Sequence, residues 1–227
     1  MNRGLFIAIE GGDGSGKTTQ ADLLEQRLSQ TGEVFRIKFP QYGGVSSKLV
    51  EAYLNGQFGE LGTVIPELVS LAYAIDRFAA AKTIRAKLDA GITVMADRYV
   101  ASNLAHQAAG IDSREKRETF YELIKQIEYG VLELPRPDLN IVLLVPIGIA
   151  VAHMDSRAAR SYTAKKRDLH EANHEHLEHA KRNYEELCRL YPEEFVGVAC
   201  MKNNSLLPIA AIHQSIWEII EEKRTHR

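Results

Sequence analysis

Cysteine is almost absent from this chain, with only Cys188 and Cys200 among 227 residues. A disulfide framework needs more, so both are expected to be reduced thiols in a cytoplasmic protein. A surplus of charge is missing too. Twenty-eight Lys and Arg stand against 30 Asp and Glu, a net of −2. No global field then draws the protein toward nucleic acid or a membrane surface. No apolar run is long enough to cross a bilayer. A strand pattern starts within a few residues of Met1, so no leader peptide is expected. There is no internal repeat and no low-complexity tract. What is present is an apolar fraction of 45%, ample for a single core. The expectation is one domain over 1–227 with a small mobile insert.

The most informative string is Glu10-Gly11-Gly12-Asp13-Gly14-Ser15-Gly16-Lys17-Thr18-Thr19. It satisfies G-x-x-x-x-G-K-S/T from Gly11 to Thr18. The short apolar run Leu5 to Ile9 before it reads as a buried strand. The segment Thr18 to Gln30 after it has helix-forming composition, with Ala21, Leu24 and Leu28 at helical spacing. Glycines let successive backbone N–H groups turn toward an anion, and the helix N-terminus adds its positive dipole end. Residues Gly11 to Thr19 are therefore expected to hold the phosphates of a nucleoside triphosphate. Lys17 is expected to reach the outer phosphates from a solvent-facing loop, without a packing role. The Thr18 hydroxyl is the matching ligand for Mg²⁺.

Downstream, strands and helices alternate. Strands are expected at 34–39, 92–96, 139–145 and 194–200. Helices are expected at 46–54, 66–88, 100–109, 113–129, 147–160 and 206–222, with a long charged helix ending near Leu190. This order predicts a parallel sheet of five strands covered by helices on both faces. Ligands of such sheets lie beyond the carboxyl ends of the strands. The loops at Gly11, Phe39, Asp97 and Val145 all fall on that edge.

Several groups there carry chemistry. Asp97 ends an apolar strand, where a carboxylate holds Mg²⁺ opposite Thr18. Arg98 follows and is suited to clamp a phosphoryl oxygen. The stretch 157–167 holds Arg157, Arg160, Lys165, Lys166 and Arg167, and reads as a basic lid over a transferring phosphoryl group. Tyr73 and Arg77 share a helix face at i and i+4, an aromatic beside a guanidinium. His170, His174, His176 and His179 crowd one stretch. His170 and His174 have metal-pair spacing, but a solvated polar face is the expected reading. Phe39-Pro40-Gln41-Tyr42 contains no acid.

Together these strings resemble the thymidylate kinase family, which phosphorylates dTMP to dTDP with ATP. They are I-E-G-G-D-G-S-G-K-T-T-Q, then F-P-Q-Y, A-I-D-R, D-R-Y-V-A-S-N-L-A-H-Q and L-P-R-P-D. The resemblance covers nearly the whole chain, and D-R-Y-x-x-S at this distance from a phosphate loop is its most specific part. It implies a three-layer P-loop NTPase fold with a lid at about 157–168, a homodimer, and Mg²⁺ as cofactor. It puts Asp13 near the deoxyribose 3′-hydroxyl and Tyr73 against thymine. It has Arg77 facing base and acceptor phosphate, and Arg98 bridging donor and acceptor phosphates. Ser102 and Asn103 fall at the thymine edge, and Phe39, Tyr42 and His106 beside the acceptor. Glu171 stands where some members place an acid near metal or sugar.

The chain departs from the family at three places. Some members carry an arginine within the phosphate loop where Gly14 stands, which transfers that duty to Arg157 and Arg160. Others place an arginine at Tyr42, and His106 replaces a commoner Tyr. The alternative readings are a deoxynucleoside kinase, another pyrimidine monophosphate kinase, a regulatory GTPase and a non-catalytic ATP-binding module. A neutral 5′-hydroxyl benefits from a carboxylate base, which the segment after strand two lacks. A GTPase needs an N-K-x-D or T-K-x-D string, and none occurs.

Overall fold

A computed structural model describes residues 3–155, 169–170 and 173–225. Five strands form one parallel sheet: β1 (Phe6–Gly11), β2 (Val34–Lys38), β3 (Thr93–Asp97), β4 (Leu139–Leu144) and β5 (Phe195–Ala199). Their spatial order is β2-β3-β1-β4-β5. β1 is the central strand and is buried at every position, which explains a run of apolar residues without polar alternation. Its register pairs Ile9 with Asp97 on one side and with Ile141 on the other.

Alternate residues of β1 feed two cores. Phe6 and Ala8 join Val94, Ala96 and Val142 in a cluster completed by α3 (Pro66–Asp89), α4 (Val100–Gln107), α5 (Arg114–Lys125) and α7 (His174–Leu190). Ile7 and Ile9 join Met95, Ile141 and Leu143 on the other face, under α1 (Lys17–Leu28), α6 (Ile147–Asp155) and α8 (Ile209–Thr225). The period of two along a strand thus produces the three layers that the alternating pattern implied. A short helix, α2 (Lys48–Leu54), packs a satellite cluster of Val50, Tyr53 and Leu54 against Val69 of α3.

Some boundaries differ from expectation. The helix expected at 113–129 is α-helical only to Lys125 and continues as a π-helix over Gln126–Val131. The helix at 100–109 ends at Gln107 and passes into a 3₁₀ turn, Ala108–Gly110. The last helix, expected at 206–222, runs instead over Ile209–Thr225, and Leu206 belongs to a small hairpin of β6 (Met201–Lys202) and β7 (Ser205–Leu206). Asn203 and Asn204 turn that hairpin with positive φ, a conformation Asn tolerates better than most residues. The expected continuation of α6 to residue 160 and the lid at 157–168 lie outside the described residues.

Candidate active site

The phosphate loop leaves the centre of the sheet and runs straight into α1. Gly14 and Gly16 have φ of 76° and 84°, values that strain any residue with a Cβ. At Gly14 a Cβ would also overlap the Ala150 carbonyl of α6. The loop and α6 are further joined by the His153 Nδ1 and the Gly14 carbonyl, 3.0 Å apart. Lys17 opens α1 and is buried, contrary to the expectation of a solvent-facing side chain. Its ammonium donates to the Gly12 carbonyl at 2.6 Å and lies 3.4 Å from the Ser15 hydroxyl. Burial first, and the nearby Arg98 charge second, lower its pKa to about 7.

Asp97, at the end of β3, is buried and accepts a hydrogen bond from the Thr18 hydroxyl at 3.3 Å. Two hard oxygen donors at this separation, one anionic, suit adjacent ligands of an octahedral Mg²⁺. Arg98 has φ of 69°, an uncommon conformation for a non-glycine residue. Its fixed contacts offset that strain. The guanidinium donates to Asp13 Oδ1 at 2.6 Å, to the Gly11 carbonyl at 3.0 Å and to the Ser102 hydroxyl at 3.0 Å. A buried acid supports this from behind. Glu10 accepts from the Tyr99 amide at 2.7 Å and from the Ser102 hydroxyl at 2.6 Å. Its pKa is raised, chiefly by burial.

One cavity adjoins the loop on the side of α3 and α4. Asp13, Phe39, Tyr42, Tyr73, Arg77, Arg98, Ser102, Asn103 and His106 all line it. The structure thus brings together the residues expected around the acceptor, though not all with free hands. Arg77 is buried and donates from Nε and Nη2 to the two oxygens of Glu128, each at 2.6 Å. Asn103 donates to the same carboxylate at 2.7 Å. Ser102 is committed to Glu10 and Arg98. Of these three residues, Asn103 keeps its Oδ1 and Arg77 its second terminal guanidinium nitrogen for a ligand.

Sequence reasoning missed Glu128, Glu10 and Tyr184, whose hydroxyl lies 2.8 Å from that of Ser102. Glu10 stands immediately before the glycine loop and has a positional signal. Glu128 sits in the π-helix with no local cue, since its partners are 25 and 51 residues away. The histidines also differ from expectation. His174 is exposed, as a polar face requires, but His170 and His176 are buried beside His106. The candidate residues Arg157, Arg160 and Glu171 lie outside the described residues.

Comparison with known proteins gives a consistent result. The family model for "Thymidylate kinase" matches residues 9–216. A thymidylate kinase of Mycobacterium tuberculosis is 32% identical over 185 residues, covering 81% of this chain and 85% of the relative. One from Leifsonia xyli is 37% identical over 161 residues, covering 69% of this chain and 71% of that one. The solved thymidylate kinase of Candida albicans aligns with a TM-score of 0.72 at 24% identity, covering 99% of this chain and 94% of that chain. That last likeness supports the fold alone.

Proposed function

This chain belongs to the thymidylate kinase family, and from that premise we propose how its residues phosphorylate dTMP to dTDP with ATP. The donor triphosphate lies on Gly11 to Thr19, with its outer phosphates against Lys17. Thr18 and Asp97 would hold Mg²⁺, which would supply charge neutralisation at the donor phosphates. The dTMP phosphate is already an anion and needs clamping and alignment, not deprotonation. Tyr73 stacks on thymine, with Phe39 and Tyr42 beside it. Asn103 and Arg77, both fixed by Glu128, meet the base edge. His106 borders the sugar and Asp13 its 3′-hydroxyl.

The observation that carries this reading is the position of Arg98. It lines the acceptor cavity while its guanidinium is tied to Asp13 and Gly11 of the phosphate loop. One cation therefore touches both halves of the site and can stabilise charge on the transferring group. Arg157 and Arg160 complete that charge, since Gly14 leaves no arginine in the loop.

Two further assignments go with it. α3 exposes Leu68, Leu71, Ile75 and Phe78 at helical spacing, a stripe suited to a homodimer beside the acceptor site. Among the described residues no helix is long and apolar enough to cross a membrane, and both cysteines are free thiols. Both features fit a cytoplasmic enzyme. The test is a coupled assay of dTMP, dUMP, dCMP, dGMP and thymidine with Mg-ATP. The expected result is the highest kcat/KM for dTMP. Faster turnover of thymidine than of dTMP overturns the reading.

A further inference from the structure

Three histidines meet at the edge of the acceptor cavity, where His106 and His170 line its wall and His176 lies beyond it. His106 is near the end of α4, His170 precedes α7, and His176 lies in the first turn of α7, where Asn173 caps the helix by accepting from the His176 amide at 2.9 Å. All three are buried. The His106 and His170 rings are stacked, 5° from parallel, and the His170 and His176 centroids are 4.2 Å apart. His106 Nδ1 is 3.4 Å from His176 Nε2. One nitrogen from each ring can be chosen so that all three lie within 4.8 Å of one another.

We propose that His106, His170 and His176 bind a divalent cation of the zinc class. The site goes beyond the kinase reading and does not depend on it.

A tetrahedral ion with Zn–N bonds of about 2.0–2.1 Å needs ligand nitrogens about 3.3 Å apart. The His106–His176 pair already has that separation. The same 3.4 Å contact is long for a hydrogen bond, so the rings gain little from one another without an ion. The donor set is nitrogen alone, which favours borderline transition metals and rejects Mg²⁺. Only the neutral imidazole ligates, and burial holds all three in that form; His170 is lowered to about 3. The Tyr53 hydroxyl, 3.2 Å from His170 Nε2, orients that ring. Ligation through His106 Nδ1 moves its proton to Nε2 and releases the 3.4 Å contact with Arg98. Arg98 keeps its shorter bonds to Asp13, Gly11 and Ser102. Facing charges are mixed: Asp13 favours a cation among the three rings, while Arg98 and Lys17 oppose it at His106. An ion here would fasten the stretch before α7 to α4.

The probe is Co²⁺ added to chelator-treated full-length protein, followed by competition with Zn²⁺. One Co²⁺ per chain should give visible d–d absorption of tetrahedral strength. Zn²⁺ should abolish it, excess Mg²⁺ should not, and Zn²⁺ alone should raise the melting temperature. His176 lies outside the acceptor cavity, on the wall of a neighbouring one. His176→Asn should weaken Co²⁺ binding at least about tenfold, since even partners behind a ligand are worth about 10–100-fold. His174→Asn, at the exposed neighbour, should leave binding unchanged. His170→Asn serves if His176→Asn lacks native circular dichroism. Failure of the wild type to bind one Co²⁺, survival of binding without His176 or His170, or equal loss in His174→Asn overturns the proposal.

Discussion

Lys17 is a loop strut, and the proposed phosphate contact gives it a second role. Its ammonium holds the Gly12 carbonyl from a buried position, at a pKa lowered to about 7. Triphosphate oxygens stabilise the charged form, so binding above that pKa must take up a proton. As pH rises above 7 the free protein holds Lys17 increasingly neutral, and ATP association should fall by up to about tenfold per pH unit. Calorimetric titration in buffers of different ionisation enthalpy should detect uptake approaching one proton at pH 8 and little at pH 6. Equal proton uptake at pH 6 and pH 8 removes Lys17 from the phosphate contact. Lys17→Ala should leave less than about a tenth of kcat, with native circular dichroism. Tyr73 makes a separable case. Base stacking on an aromatic is worth roughly 1–3 kcal/mol. Tyr73→Ala should therefore raise KM for dTMP about tenfold or more, whereas Tyr73→Phe keeps the ring and should be mild. KM for ATP should not move in either variant. Steady-state kinetics with each substrate varied in turn decides it.

Among elements, α3, α4 and the π-helix are tied by a single carboxylate. Glu128 accepts from Arg77 of α3 and Asn103 of α4, all three buried. Loss of one side of a buried ion pair strands the other charge and costs about 3–5 kcal/mol. Glu128→Ala should lower stability by that amount in denaturant titration, while Arg77→Met with Glu128→Leu together should recover most of it. If Glu128→Ala is as stable as the parent, the triad does not hold these elements. This is also where the sequence was least legible. The sequence reading gave one helix over 113–129 but not the wider turn that begins at Gln126. It placed Arg77 beside a pocket yet gave no sign that two of its nitrogens are occupied. By contrast, the phosphate loop and Asp97-Arg98 were legible because their chemistry is local: glycines at a strand end, a hydroxyl at a helix start, an acid at the next strand end. The histidines misled because their partner, His106, is 64 residues before His170, and spacing within one stretch cannot report a contact across the fold.

For the whole molecule, topology followed from alternation of strands and helices. The strand order β2-β3-β1-β4-β5 did not follow from it and is a result of the structure. What one chain leaves unfinished is the apolar stripe of α3, with Phe78 52% and Leu68 57% exposed. Light scattering should give a dimer for the full chain and a monomer for Phe78→Glu, with unchanged circular dichroism; a monomeric parent protein removes the stripe from any role in self-association. The close approach of α6 to Gly14 has a historical consequence. Because a Cβ at Gly14 overlaps the Ala150 carbonyl, Gly14→Arg is not a neutral step for this chain, whatever the arginine later contributes. A lineage descending from it could acquire a loop arginine only after α6 had withdrawn, so the order of changes is fixed by sterics. Present geometry thus closes one evolutionary path and holds the sequence to another.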